Sequence, residues 1–165
     1  MGAVSTDYVK LIYPNISNNS SSSNTNTGGN TSTTATSGLT SDELEVFNLI
    51  NAKRTANGLS ALKIDNELQK VARLKAQDMV NKNYFSHTSP TYGSPFDMMK
   101  SFGISYKTAG ENIAGHSSNS GAVEAWMNSS GHRANILNSS YNYTGIGVVK
   151  SPTYGKVYVQ MFIGR

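Results

Sequence analysis

The sequence predicts an α+β fold, a three-layer α-β-α sandwich with a small central antiparallel sheet, preceded by a disordered tail. Helix-period apolar patterns come first, and two adjacent strand-period runs close the chain. The last run carries apolar bulk on both faces: Val157, Val159, Met161 and Ile163 on one, Tyr158, Gln160 and Phe162 on the other. Helices should therefore cover both sides of the sheet. Residues 17–38 lack the apolar side chains that any core requires.

Residues 1–16 read as a stub in which "YVKLIY", residues 8–13, has strand propensity. Residues 17–38, "SNNSSSSNTNTGGNTSTTATSG", have Ala35 as their one apolar side chain and read as a flexible linker. The folded unit should span residues 39–165, near the common domain size of about 100–150 residues. It opens with a capping box, Thr40 as N-cap and Glu43 three positions on. Leu44, Phe47 and Ile50 follow at helical spacing until Asn57-Gly58 ends the helix. A second helix starts at Asp65, runs through Leu68, Val71, Ala72 and Met79, and stops near Lys82. A third, short helix has Ser94 as cap, Pro95 at its first position, Asp97 against the positive dipole end and Gly103 as its stop. A fourth covers residues 120–127 and buries Val123 and Trp126. Residues 107–115 suit a short strand. "TGIGVVK" and "KVYVQMFIG" are stronger strands, joined as a hairpin through "SPTYG".

Composition excludes several function classes. Cysteine is absent, which removes disulfides, thiolate metal sites and thiol nucleophiles. The net charge is +4, but only Lys53-Arg54 are adjacent cations, so the reading is a mildly basic solvated surface and no nucleic-acid partner. Weak attraction to cell-wall polyanions fits that surface. No stretch approaches the roughly 20 apolar residues of a membrane span, and the first residues lack the form of a signal peptide.

Three histidines, His87, His116 and His132, and the two glutamates beyond the second helix, Glu111 and Glu124, are the candidate site residues. Spacing promotes none of them. No His-x-x-x-His with an intervening glutamate is present, and neither is a phosphate loop or a nucleophile elbow. Each has an ordinary reading: His132 in the first turn of a short helix, His87 in a loop, Glu111 on a strand face with a neighbouring base. Glu124 reads as an exposed side chain on an amphipathic helix, and His116 as part of an exposed Gly/Ser-rich loop.

Four segments in order, "YFSHTSP", "AGENIAG", "AVEAWMNSSGHRANILN" and "YVQMF", resemble the bacterial branch of the CAP superfamily. That superfamily groups the cysteine-rich secretory, antigen-five and pathogenesis-related proteins. The resemblance spans residues 39–165 and implies an α-β-α sandwich with two histidines and two glutamates in an open cleft. Carried over residue by residue, these are His87, Glu111, Glu124 and His132, with Asn112, Arg133 and Asn135 as supports of the cleft. His116 has no counterpart, and the cysteines of the animal and plant members are missing here.

Two neutral imidazoles and two carboxylates carry a local charge of about −2, suited to a divalent cation, zinc first among them. The competing reading is an ion-paired staple between helices and sheet. Three functions follow from the resemblance. One is a secreted or cell-surface module, a monomer binding a divalent ion and an extended extracellular or cell-wall ligand, its signal already removed. A second is a metal-assisted hydrolase of peptide or cell-wall material in which Glu111 or Glu124 activates water. A third is a structural adhesion domain.

Overall fold

The computed structural model describes residues 38–165, with Thr36 and the two-residue strand β1 (Ala3–Val4). The "YVKLIY" run and nearly all of the Ser/Thr/Asn linker lie outside the described residues.

Each helix begins where its capping residues dictate. Helix α1 (Ser41–Ala56) has the expected box: the Glu43 amide donates to Thr40 Oγ1 at 3.2 Å, and the Thr40 amide to Glu43 Oε2 at 2.8 Å. Asp65 caps α2 (Asn66–Asn81) through the Leu68 amide at 2.8 Å. Ser94 and Asp97 form a second box at α3 (Pro95–Ser101). Ser118 caps α4 (Asn119–Met127), and α5 (Ser130–Ile136) follows after a two-residue break.

The sheet has the order β1-β3-β5-β4-β2. Its antiparallel centre is β3 (Thr108–His116), β5 (Gly155–Gly164) and β4 (Tyr143–Ser151), close to the expected strands and hairpin. One departure is β2 (Lys63–Ile64), which pairs parallel with β4 and was not expected. It is too short to show any alternation, and the Asp65 amide, at the start of α2, completes it by donating to Thr144 O at 3.1 Å.

Both faces of β5 are buried, as its sequence demands. On the Tyr158 and Phe162 side, α4 and α5 pack on β3 and α1 on β4; Trp126 meets Tyr158 edge-on at 6.4 Å and donates its indole N–H to Ile113 O at 3.2 Å. The Val157, Val159 and Met161 face meets α2, which packs on β4 and β5. Register then sorts β3. Glu111 lies opposite Met161 and so projects toward α2, whereas Asn112 lies opposite Gln160 and projects toward α5.

Candidate functional site

Strand β3 carries the centre of the site. Glu111 is 0% exposed, and its Oε1 lies 3.5 Å from Nδ1 of His87, itself 6% exposed in the loop between α2 and α3. On the same side Lys75 of α2, 0% exposed, donates from Nζ to the backbone carbonyl of His87 at 2.7 Å and stands 5.7 Å from the Tyr84 ring centroid. Burial pushes the Lys75 amine down to about 7, against the upward pull of the Glu111 and Asp78 charges. Tyr84 donates its hydroxyl to Asp78 Oδ2, which also accepts from Ser89 Oγ at 2.7 Å. Burial alone would raise Asp78, but the hydrogen bonds from Tyr84, Ser89 and Lys82 outweigh it and hold the carboxyl below its usual range. Burial, then the bond to Asp78, raises Tyr84.

His132 comes from the opposite layer. Its side chain is 0% exposed, and Nδ1 lies 2.7 Å from Ser129 Oγ. Ser129 is the N-cap residue of α5, yet its hydroxyl makes no cap bond and serves the imidazole instead. Asn112 and Asn135 do support this region. Asn112 Nδ2 donates to His132 O at 3.0 Å, and Asn135 Nδ2 donates to Asn112 Oδ1 at 2.9 Å and to Glu111 O at 3.3 Å. Arg133 is exposed. Glu124 is engaged elsewhere: it is half-exposed on α4 and paired with Lys53 of α1 at 2.6 Å. His116 ends β3, half-buried, and accepts from the Ser118 amide at 3.1 Å, so it shapes the turn into α4.

A groove of about 130 Å³ runs between the end of α2 and the β4–β5 hairpin. Met79, Tyr84, Phe85, Pro152, Tyr154 and Val157 line it, with Asn83, Ser151 and Thr153 adding polar groups. The Phe85 and Tyr154 rings stand 5.5 Å apart, tilted by 51°. Tyr154 lies flat against Gly115, where any Cβ would come within 2.4 Å of the ring. A larger cavity of about 350 Å³ lies at the start of α2, but its charged groups already pair, Arg73 with Glu43 and Lys70 with Glu67.

The model of the cysteine-rich secretory protein family, CAP, matches residues 47–162. The chain belongs to this family. It is 57% identical over 134 residues to the Bacillus subtilis (strain 168) protein YkwD, an overlap covering 81% of this chain and 51% of YkwD. It is 40% identical over 127 residues to the B. subtilis membrane protein YlbC, covering 76% of this chain and 35% of YlbC. The chain thus spans about half or less of the curated relatives it matches. Among solved structures, an extracellular protein containing an SCP domain from Bacillus anthracis str. Ames superposes with TM-score 0.69 at 38% identity, covering 75% of this chain and 40% of that one. An outer surface protein of Borrelia burgdorferi shares the fold, with TM-score 0.69 at 24% identity, over 75% of this chain and 92% of that one. No helix among the described residues is long and apolar enough to cross a membrane.

The CAP resemblance implies a divalent ion held by His87, Glu111, Glu124 and His132. The donor set does not fit that ion well. Among the described residues no three His, Asp or Glu side chains are gathered as a metal site, and Glu124 is committed to Lys53. The centre instead contains Lys75, Asp78, Tyr84 and Ser129, which reading the sequence missed. Lys75 had a visible signal: it shares the helical spacing of Leu68, Val71, Ala72 and Met79 on the buried face of α2.

Proposed function

We propose that this CAP domain is an extracellular or cell-surface binding module. It takes an extended cell-wall ligand into the groove between α2 and the β4–β5 hairpin, which Tyr84 joins to the buried centre around Lys75. One observation carries the reading. The Tyr84 ring lines the groove while its hydroxyl bonds Asp78 and its face lies over Lys75, so the binding surface and the polar centre are one assembly. Tilted aromatic rings flanked by amide and hydroxyl groups suit a polymer with apolar faces and polar edges, such as a glycan strand. The likeness to an extracellular SCP-domain protein of B. anthracis supports the location.

The burial of Glu111, His132 and Lys75 favours the staple reading for the centre itself. The hydrolase reading needs Glu111 or Glu124 on a metal-bound water, and neither burial at Glu111 nor the Lys53 pairing of Glu124 supports it.

Co-sedimentation with insoluble peptidoglycan tests the proposal. The wild-type chain should pellet saturably, and Tyr154→Ala or Phe85→Ala should weaken that binding by about tenfold, the usual scale for a groove aromatic worth ~1.4 kcal/mol. Pelleting equal to wild type in both variants would remove the groove from the function. Release of soluble fragments that disappears in Glu111→Gln would replace binding with hydrolysis.

A further inference from the structure

Lys75 has every feature of a residue retained for a charge inside the fold. It sits on α2 in line with Leu68, Val71, Ala72 and Met79, where helical periodicity calls for an apolar side chain. Its ammonium cannot snorkel to water, because the whole side chain is inaccessible. The nitrogen ends against the carbonyl of His87 at 2.7 Å, and Glu111 and Asp78 are the two carboxylates whose charges act on it. Glu111 projects from β3 toward the same helix, with His87 Nδ1 3.5 Å from its Oε1. A buried carboxylate is tolerated only with a counter-charge close by.

We infer that Lys75 is the resident cation of this centre, standing where a divalent ion would otherwise balance Glu111 and hold the His87 segment. Three N–H donors on one nitrogen let the ammonium act as a coordinating point charge. It fixes the His87 backbone through a carbonyl while compensating the acid. A second cation brought to His87 and Glu111 would meet the amine at short range, in a medium too poor in water to screen the repulsion. The chain therefore takes no divalent ion at this site, and its polar centre is assembled by folding alone. Lys75 is a positioning residue: it orders the loop that leads from Tyr84 and Phe85 in the groove to His87.

Zinc titration of the full chain at pH 6.5, where the folded Lys75 amine still carries most of its proton, followed by calorimetry and by thermal melting, tests this. The wild-type Tm should move by less than ~1 °C and no heat of zinc uptake should appear. Lys75→Met should lower the Tm by about 10 °C, as expected when a buried acid loses its partner in a domain this size. Zinc should then restore part of that loss. Lys75→Met combined with Glu111→Gln should cost less than the two single changes added together. Should the single variant fail to fold, a folded double variant supports the pairing and an unfolded one overturns it. Zinc uptake by the wild type that vanishes in His87→Ala would overturn the inference, as would strict additivity or a folded Lys75→Met variant indifferent to zinc. Peptidoglycan binding is a separate readout, so failure of the ligand reading leaves this result interpretable.

Discussion

Arg54 shows how far a single side chain can depart from its neighbour in sequence. Lys53 meets Glu124 at the surface, whereas Arg54 is 2% exposed and its guanidinium donates to four carbonyls. These are Ser60 at 2.8 Å, Ile136 at 2.8 Å, Asn138 at 3.0 Å and Tyr141 at 3.2 Å. It thereby ties the end of α1 to the segment between α5 and β4. Arg54→Met should cost about 3–4 kcal/mol, because several buried carbonyls lose a charged donor at once. Arg54→Lys should recover less than half of that, since one ammonium cannot span a planar fork. Urea midpoints at constant m-value would measure both; a loss under ~1 kcal/mol in Arg54→Met would mean that water replaces the guanidinium. The Lys53-Arg54 pair read as mildly basic surface, and periodicity alone does not tell a solvated arginine from one buried on carbonyls. The site residues divide in the same way. His87, Glu111 and His132 entered through the ordered family segments, and the structure places all three in the interior. Ser129 is one serine among many, and only coordinates reveal that its hydroxyl faces an imidazole instead of a helix amide. Glu124 had an ordinary surface reading from its helix position, and Lys53 gives that reading its partner.

At the scale of elements, the packing of α2 on β4 depends on an absent side chain. A Cβ on Gly145 would lie 2.5 Å from the backbone carbonyl group of Leu68, so strand and helix backbones are in direct contact there. One residue further, Gln69 mimics a neighbouring strand: its side-chain amide donates to Ile146 O, and its Oε1 accepts from the Ile146 amide at 2.7 Å. Gly145→Ala should therefore push α2 outward and cost about 3 kcal/mol, in the upper range for overpacking against rigid backbone. Gly145→Ala paired with Gln69→Ala should show strong coupling, since both report the same close approach. Thermal melts of the three variants would decide, and a Gly145→Ala domain as stable as wild type would mean that the helix slides freely. Helix starts were legible because Thr40, Asp65 and Ser94 carry caps, and the long strands because β5 alternates over its whole length. The two-residue β2 was not, since its parallel pairing is set by where α2 must begin once it lies on β4. The close contact at Gly145 was illegible for a related reason. A glycine in a strand signals a bulge, a bend or a close neighbour, and the sequence does not say which.

For the whole molecule, the buried charges make stability depend on pH in a way that composition would not suggest. Lys75 is lowered to about 7 from an ordinary value of 10.5, with burial the main cause and Glu111 and Asp78 opposing it. Between these values the unfolded chain keeps a proton on this amine that the folded chain has released. Stability should therefore rise with pH across that window, by up to about 1.4 kcal/mol per unit for one proton. Tyr84 and Tyr158 act in the opposite sense at higher pH. Both are raised above 10.0, chiefly by burial, so above that pH the unfolded tyrosines ionise while the folded ones are held neutral, and stability falls. At the acid end Asp78 is held below its ordinary 3.8 by Tyr84, Ser89 and Lys82 despite its burial; its contribution is present above that value and is lost as pH drops through the lowered one. A Tm profile from about pH 3 to 11 at fixed ionic strength should thus climb from neutrality to a maximum near pH 10 and decline on either side. Lys75→Met should flatten the climb between about pH 7 and 10 while leaving the acid decline in place, because Asp78 keeps its donors from Tyr84, Ser89 and Lys82. A wild-type profile already flat across that interval would show that Lys75 titrates as an exposed amine does, and that its burial in the fold exacts no electrostatic cost.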